Sequence, residues 1–240
     1  MNTMSTAYVG KLALITGSRR GVGRLIAEHI LRNGGRVAGF SRGASSIDHT
    51  NYEHIQVDIG DTESVLQGFA VLRKISDTLH ILINNAAVLT AQYAMIMPQT
   101  QAQAMIDINL MGAFTISREA SKMMRKEKWG RIINISSMAA SLEPIGDSVY
   151  AATKAGLTTL GNVMAKELAP LNITCNTLSI TAIKTDMMAQ LPKSKIDAVI
   201  DNLPIPRYAE PDDIFNIIDF LASERSSYIT AQTIGMGGVK

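Results

Sequence analysis

This sequence of 240 residues contains very little cysteine and carries almost no net charge. Each of these two features excludes a class of protein. With Cys175 as its single cysteine, the chain can form neither an intrachain disulfide nor a multi-cysteine zinc site. We interpret Cys175 as a small buried hydrophobic residue. Lys and Arg number 23 against 21 Asp and Glu, so the net charge is +2. That balance excludes a strongly basic nucleic-acid-binding or polybasic membrane protein.

Long hydrophobic runs and metal-ligand patterns are also missing. No apolar run reaches the roughly 18–20 residues that cross a bilayer. The first ten residues lack the charged and apolar regions of a signal peptide. The histidines have no metal-ligand spacing, so we expect no metal; they are His29, His49, His54 and His80. We expect a cytoplasmic protein with no membrane or nucleic-acid partner.

The hydrophobic pattern predicts an α/β fold. Hydrophobic residues make up 46% and charged residues 18% of the chain, which excludes a disordered protein. Short apolar runs alternate with helical patterns, as in a parallel sheet covered on both faces. The predicted strands span residues 11–16, 36–40, 54–59, 79–83, 131–135, 173–178 and 229–234. The predicted helices span residues 22–33, 61–75 with Asp61 as N-cap, 100–126 as one helix or two, 149–168 and 211–222.

We therefore predict a single Rossmann-type doubly wound sheet of about seven parallel strands with helices on both faces. Residues 1–240 form one domain in this interpretation, with a cofactor half over about 10–135 and a catalytic and substrate half over about 136–240. Residues 180–206 are the least regular segment and are predicted to be a mobile cover. This cover contains Met187, Met188 and Leu191. For these residues two interpretations stay equally open: they form an apolar wall of a substrate site, or they only pack against the rest of the protein.

A glycine-rich turn joins the first strand to the first helix. It consists of Thr16, Gly17, Ser18, Arg19, Arg20, Gly21, Val22 and Gly23. Such a turn lets a diphosphate approach the backbone, and the N–H groups at the helix start then point at it. Ile26 stands where the strict G-x-G-x-x-G pattern has its third glycine. On the glycines alone, a turn without a ligand stays open.

The end of the second strand distinguishes the two nicotinamide cofactors. An acid there accepts hydrogen bonds from the ribose 2′-hydroxyl, whereas arginine accommodates a 2′-phosphate. Ser41 and Arg42 occupy this stretch, which contains no acid. Arg20 can reach the same place, and two guanidinium groups suit a phosphate. We predict NADP(H), with Arg19 as a further candidate; the alternative is that these arginines are solvated surface charges.

Tyr150 and Lys154 stand four residues apart, on one side of a predicted helix. A nearby ammonium lowers the pKa of a phenol, so Tyr150 is predicted to be a general acid or base. The pair follows a strand that ends in Ser136 and Ser137, whose hydroxyls can polarise a carbonyl oxygen. The spacing alone is common; its position after this strand favours catalysis.

These motifs together resemble those of the short-chain dehydrogenase/reductase family over essentially the whole chain. The matching positions are Thr16, Gly17, Gly21 and Gly23 of the glycine turn, Asp58 with Ile59, the Asn84-Asn85-Ala86-Ala87 run, Asn109, Ser137 placed 13 residues before Tyr150, Tyr150 with Lys154, and Ile183 with Thr185. The resemblance implies that Asp58 holds the adenine and that Ile183 and Thr185 bind the carboxamide. Two departures are Ala87 for a glycine and Ile180-Thr181 for Pro-Gly.

The subgroup that the sequence resembles is the 3-oxoacyl-acyl-carrier-protein reductases. This resemblance implies an NADPH-dependent reductase of a small or carrier-bound carbonyl substrate, assembled as a homotetramer or homodimer. Tyr150 would donate the proton, Ser137 would hold the oxygen and Lys154 would bind the nicotinamide ribose. Asn109 would support a proton-relay water, and loops 87–97 and 180–206 would select the substrate. An NAD-dependent dehydrogenase of a sugar or secondary alcohol and a non-catalytic nucleotide sensor are the alternatives.

Overall fold

Seven strands form one parallel sheet in the computed structural model, which describes residues 6–185, 188 and 193–238. The strand order is β3-β2-β1-β4-β5-β6-β7. The strands are β1 Leu12–Thr16, β2 Arg36–Ser41, β3 Tyr52–Gln56, β4 Ile81–Asn84, β5 Gly130–Ser137, β6 Ile173–Ile180 and β7 Thr233–Gly235. The predicted Rossmann-type parallel sheet is confirmed.

Eight α-helices connect or flank these strands within the described residues. They are α1 Gly21–Arg32, α2 Thr62–Ile75, α3 Gln99–Ile106, α4 Ala113–Met124, α5 Ala139–Leu142, α6 Ser148–Leu168, α7 Lys193–Asp201 and α8 Pro211–Ala222. A π-helical segment, Asp107–Gly112, joins α3 to α4, so the helical region predicted over residues 100–126 is continuous but not regular. In this described part, no helix has the length and apolar character needed to cross a membrane.

The two faces of the sheet carry separate hydrophobic cores. Successive strand residues point to opposite faces, so the neighbours Leu14 and Ile15 of β1 belong to different cores. Ile15 shares its core with Ile26 of α1 and Ile218 of α8. Leu14 shares the other core with Phe69 of α2 and residues of α4. The near-continuous apolar strands that the sequence shows follow from this double burial.

Two predicted strand boundaries differ from the structure by three or more residues, and side-chain hydrogen bonds explain both. β3 ends at Gln56 instead of residue 59, since the backbone N–H of Asp58 donates to the Ser64 hydroxyl 2.9 Å away. The last strand begins at residue 233, not 229. The Asn176 side chain of β6 donates to the carbonyl of Ile229 and accepts from the N–H of Gln232. That side chain replaces the ladder hydrogen bonds expected there.

The segment predicted as an irregular cover contains a helix. Residues 193–201 form α7, which the sequence analysis missed. Ile196 and Ile200 of this helix are buried against Ala182, with Met138 packed beside them. The cover is therefore anchored to the end of β5 by an apolar contact in its second half.

The carboxyl ends of the central strands position the site. The chain runs outward from β1 to β2 and β3, and then returns to the other side of β1 to form β4. In open α/β sheets, ligands bind at the carboxyl edge where the strand order reverses in this way. The glycine turn follows β1 at this point, and Ser136 and Ser137 close β5 nearby.

Gly112 permits the π-helical segment to approach the sheet edge. A Cβ atom on Gly112 would lie 2.5 Å from both Cγ2 and the carbonyl oxygen of Ile59. We predict that Gly112→Ala lowers the free energy of unfolding by about 1–3 kcal/mol, because overpacking must displace backbone. Urea denaturation measures this change.

Gly156→Ala is the matched control for that substitution. Its Cβ would meet Leu110 at an ordinary 3.4 Å, and alanine favours a helix over glycine by up to about 1 kcal/mol. We expect this variant to be as stable as the wild type or more so. Equal destabilisation of the two variants would contradict the packing argument.

Candidate active site

A cavity of about 430 Å³ opens at the carboxyl ends of the central strands. Most residues that the sequence analysis selected line it together. They are Gly17, Arg19, Arg20, Gly21, Val22, Ser41, Arg42, Asp58, Ile59, Asn85, Ala86, Ala87, Ser137, Tyr150, Lys154, Ile183 and Thr185. Residues that are far apart in the sequence thus line one concave site.

Four selected residues lie behind the cavity wall instead: Thr16, Ser18, Gly23 and Asn109. The Thr16 hydroxyl accepts hydrogen bonds from the backbone N–H groups of Asn85 and Ala86, both at 2.9 Å. A Cβ atom on Gly23 would lie 2.4 Å from Nδ2 of Asn85. Thr16 and Gly23 therefore hold the glycine turn close to the end of β4.

The glycine turn has the backbone geometry that its sequence predicts. Gly17 and Gly21 have φ angles of +69° and +56°, which favour glycine. α1 begins at Gly21, and Arg20 precedes it as N-cap. The first backbone N–H groups of a helix are not used within it, so they attract anions. This end of the cavity is suited to a phosphate group.

Arginine side chains line the neighbouring end of the cavity. Arg19, Arg20 and Arg42 all contribute to the wall, and all three are exposed. Gly43, which the sequence analysis missed, lies between them: a Cβ atom there would be 3.0 Å from Cδ and Nε of Arg19. Asp58 also lines the cavity, and its carboxylate accepts from the backbone N–H of Gly60 at 3.0 Å.

Tyr150 and Lys154 lie on α6 and are 7% and 3% exposed. The Lys154 ammonium donates to the carbonyl of Ile135 at 2.8 Å and lies 5.8 Å from the centre of the Tyr150 ring. Burial lowers the pKa of Lys154 to about 8. The helix therefore delivers both groups to one desolvated end of the cavity.

The direction predicted for the Tyr150 pKa is wrong. Burial raises the pKa of Tyr150 to about 12, a hydrogen bond to Ser137 acts in the opposite sense, and the charge of Asp147 adds to the increase. Desolvation penalises the phenolate more than the hydrogen bond to Ser137 favours it. The buried Tyr150 is consequently a phenol that retains its proton at neutral pH.

Ser137 and Ser136 have different roles at the end of β5. The Ser137 hydroxyl accepts from the backbone N–H of Ala139 at 3.2 Å and is hydrogen-bonded to Tyr150. The Ser136 hydroxyl donates to the carbonyl of Lys154 at 3.1 Å. Ser136 therefore ties the strand to α6, whereas Ser137 faces the phenol. The geometry supports the choice of Ser137.

Asn109 lies in the π-helical segment and holds two elements together. Its Oδ1 accepts from the backbone N–H of Val88 at 2.8 Å, and its Nδ2 donates to the Val88 carbonyl at 2.9 Å. Nδ2 also donates to the Thr153 hydroxyl at 3.2 Å. Asn109 thus fixes the loop after β4 against α6. Its role in a water relay stays a prediction.

The remaining wall is largely apolar and includes residues that the sequence analysis missed. These are Val57, Ile108, Ile135 and Met138, whereas Val88 and Leu89 belong to the loop 87–97 that was expected to select the substrate. The departures Ala87, Ile180 and Thr181 also line the cavity, and Ile180 pairs with Ser137 between β6 and β5. Met188 is at the wall, whereas Met187 and Leu191 lie outside the described residues. Proximity along the chain to Ser137 could have indicated Met138.

The chain is similar to known proteins over nearly its whole length. A family model described as enoyl-(acyl carrier protein) reductase matches residues 17–238. The 3-oxoacyl-acyl-carrier-protein reductase of Aquifex aeolicus is 32% identical, with 98% of this chain and 99% of the relative covered. The corresponding enzyme of Vibrio harveyi is 34% identical, with 95% and 96% covered. The solved structure of Thermoplasma acidophilum aldohexose dehydrogenase has a TM-score of 0.90 at 26% identity, with 99% and 96% covered.

The lowered pKa of Lys154 predicts a pH-dependent stability. Burial disfavours the charged amine, so the folded state releases a proton near pH 8 that the unfolded state keeps to about 10.5. Stability contributed at this position therefore rises with pH through that window. The free energy of unfolding of the wild type, relative to that of Lys154→Met, should therefore rise by roughly 2 kcal/mol between about pH 7 and about pH 9.5.

Urea denaturation of both proteins at the two pH values tests this linkage. Lys74→Met, which changes an exposed lysine, is the control and should show no such difference between the two pH values. A stability gap between wild type and Lys154→Met that stays constant with pH would contradict the assignment.

Proposed function

The chain belongs to the short-chain dehydrogenase/reductase family of oxidoreductases, and on that premise we propose that it is an NADPH-dependent reductase of a carbonyl substrate. The observation that carries the proposal is one cavity with two chemically distinct ends. Arg19, Arg20 and Arg42 line one end. Tyr150 and Lys154 lie at the other, with Ser137 beside the phenol.

The residues present fit an NADP(H) molecule. The glycine turn and the start of α1 suit its diphosphate, and Arg20 and Arg42 suit a 2′-phosphate. Asp58 would hold the adenine, Lys154 the nicotinamide ribose, and Ile183 and Thr185 the carboxamide. The cofactor supplies the hydride, and the protein supplies orientation and electrostatics.

Tyr150 acts as the general acid in this proposal. A pKa of about 12 keeps its hydroxyl protonated at neutral pH, so it can give a proton to the forming alkoxide. The Ser137 hydroxyl donates a hydrogen bond to the same oxygen. The Lys154 ammonium then stabilises the phenolate that remains, and its hydrogen bond to Ile135 holds it in place. Asn109 positions the loop that carries Val88 and Leu89.

The substrate end of the cavity is suited to binding an apolar carbonyl compound, either small or carrier-bound. Leu89, Met138, Ile180 and Met188 line the same cavity as Tyr150. Apolar walls with a few polar groups are typical of sites that bind such ligands. The similarity to two reductases of acyl-carrier-protein substrates supports the same class.

The structural likeness to an aldohexose dehydrogenase favours a second candidate, an NAD-dependent dehydrogenase of a sugar or secondary alcohol. The arginine-lined end of the cavity speaks against that candidate. A non-catalytic nucleotide sensor is disfavoured by the juxtaposition of Ser137, Tyr150 and Lys154.

We also expect a homotetramer or homodimer in the cytoplasm. Phe220 of α8 is 47% exposed and Tyr228 beyond it is 98% exposed, and exposed apolar groups of this kind are used in subunit contacts.

The cofactor assignment predicts a selective loss when the phosphate site is removed. Changing both Arg20 and Arg42 to Ser should lower kcat/KM with NADPH about a hundredfold, because charge-assisted hydrogen bonds to the phosphate are lost. Activity with NADH should change little. Initial rates with both cofactors measure this, and Arg24→Ser, which removes an exposed arginine paired with Glu28, is the control. Unchanged NADPH activity in the double variant would sink the assignment.

The acid assignment predicts a loss of turnover without a loss of cofactor binding. Tyr150→Phe should reduce kcat about a hundredfold to ten-thousandfold, the range that general acids contribute. The dissociation constant for NADPH, measured by fluorescence titration, should stay within about threefold of the wild-type value, since most cofactor contacts remain. The exposed Tyr228, changed to Phe, serves as the control. Near wild-type turnover in Tyr150→Phe would refute the assignment.

A further inference from the structure

A chain of hydrogen bonds runs beneath the arginine-lined end of the cavity. The Ser18 and Tyr52 hydroxyls are 3.0 Å apart, and the Tyr52 hydroxyl is 3.1 Å from Nδ1 of His54. Nε2 of His54 is 2.8 Å from the carbonyl oxygen of Gly43. The chain therefore links the glycine turn after β1 to the loop after β2. Tyr52 and His54 do not line the cavity.

The chemistry of these groups means that every hydrogen bond in this series donates in the same direction, from Ser18 towards Gly43. A carbonyl oxygen only accepts, so Nε2 of His54 donates to Gly43. In the neutral imidazole, Nδ1 is then an acceptor and receives the Tyr52 hydroxyl proton. The Tyr52 oxygen in turn accepts from Ser18. Each donor and acceptor of the neutral histidine is thereby satisfied.

The packing leaves room for this chain at one position of β2. Gly39 pairs with His54 across the two strands. A Cβ atom on Gly39 would lie 2.1 Å from the Tyr52 hydroxyl and 2.3 Å from the Ser18 hydroxyl. Ser18 is fully buried and Tyr52 is 9% exposed. Any side chain larger than that of glycine would therefore separate the two hydroxyls.

Side chains of β3 hold two carbonyl groups of the loop after β2, those of Arg42 and Gly43. Gln56 donates to the carbonyl of Arg42 at 3.2 Å, and His54 donates to that of Gly43. Residues two apart in a strand share a face, so Tyr52, His54 and Gln56 act from one side of this edge strand. Both carbonyl oxygens are therefore engaged by side chains of β3.

We propose that Tyr52 and His54 are positioning residues for the 2′-phosphate of the cofactor, an inference that rests on the proposed NADPH dependence. By fixing the Gly43 backbone, they set the place of Arg42, which precedes it, and of Arg19, whose side chain lies over Gly43. The pair thus determines how well two guanidinium groups converge on the phosphate. It makes no contact with the reacting atoms.

The experiment measures binding of 2′,5′-ADP and of 5′-AMP to the full chain by calorimetry. His54→Phe should weaken 2′,5′-ADP binding about tenfold, and Tyr52→Phe about threefold, as expected for lost positioning hydrogen bonds. Binding of 5′-AMP should change less than about twofold, because it lacks the 2′-phosphate. With NADPH, KM should rise while kcat stays unchanged.

Two further variants separate positioning from folding. His54→Gln keeps an N–H donor that can reach the Gly43 carbonyl, so it should restore most of the 2′,5′-ADP affinity. His49→Phe changes an exposed histidine of the same loop region and should bind both nucleotides as the wild type does. Thermal melting of each variant verifies that it folds.

The possible outcomes distinguish this inference from the proposed function. A wild type that binds 2′,5′-ADP no better than 5′-AMP would overturn the NADPH assignment and the inference with it. A wild type that prefers 2′,5′-ADP, with His54→Phe and Tyr52→Phe unchanged, would overturn the inference alone. Equal weakening of both nucleotides would show a merely structural role.

Discussion

The hydrogen bond from Lys154 to the carbonyl of Ile135 is the contact on which the site depends. It crosses from α6 to β5 at 2.8 Å, and the Ser136 hydroxyl returns a bond to the Lys154 carbonyl at 3.1 Å. Together they fix the rotation of α6 over the sheet. Tyr150, one helical turn earlier, then comes to lie beside Ser137. Farther along α6, Gly161 lets the helix approach the strand: a Cβ there would lie 2.6 Å from the Asn134 side chain.

Burial where α6 packs on β5 affects both titratable groups, Tyr150 and Lys154, and favours the uncharged form of each. It lowers the pKa of Lys154 to about 8 and raises that of Tyr150 to about 12. The phenol is thus kept protonated, as a proton donor requires, while the lysine remains largely charged at neutral pH. The arginine end of the same cavity is exposed and basic, so one concave surface offers two electrostatic environments. This division matches a ligand with a charged end and a reactive end.

Features set by local sequence were predictable, and features set by long-range contacts were not. Pro211 begins α8 as expected, and the Asp61 side chain caps α2 by accepting from the N–H of Glu63. The glycine turn, Arg42 and the pair of Tyr150 and Lys154 followed from strand ends and motif spacing. Asp58 and Thr185, in contrast, were indicated only by the family resemblance. The direction of the Tyr150 pKa shift was predicted wrongly because it depends on burial by segments that are distant in the sequence. The start of the last strand was missed because Asn176, more than fifty residues away, takes over its backbone hydrogen bonds. The hydrogen-bonded chain through Tyr52 joins three separate segments, so no local pattern shows it.

In the proposed reaction, NADPH bound in this cavity supplies a hydride to a carbonyl carbon while Tyr150 supplies the proton. The most direct measurement uses NADPH deuterated at the transferable position of its nicotinamide, with a panel of apolar ketones and carrier-bound 3-oxoacyl substrates. Mass spectrometry of the products reads the isotope. We expect one deuterium on the new carbinol carbon of at least one substrate. Absence of labelled alcohol across the panel, with NADPH bound at the site, would contradict it.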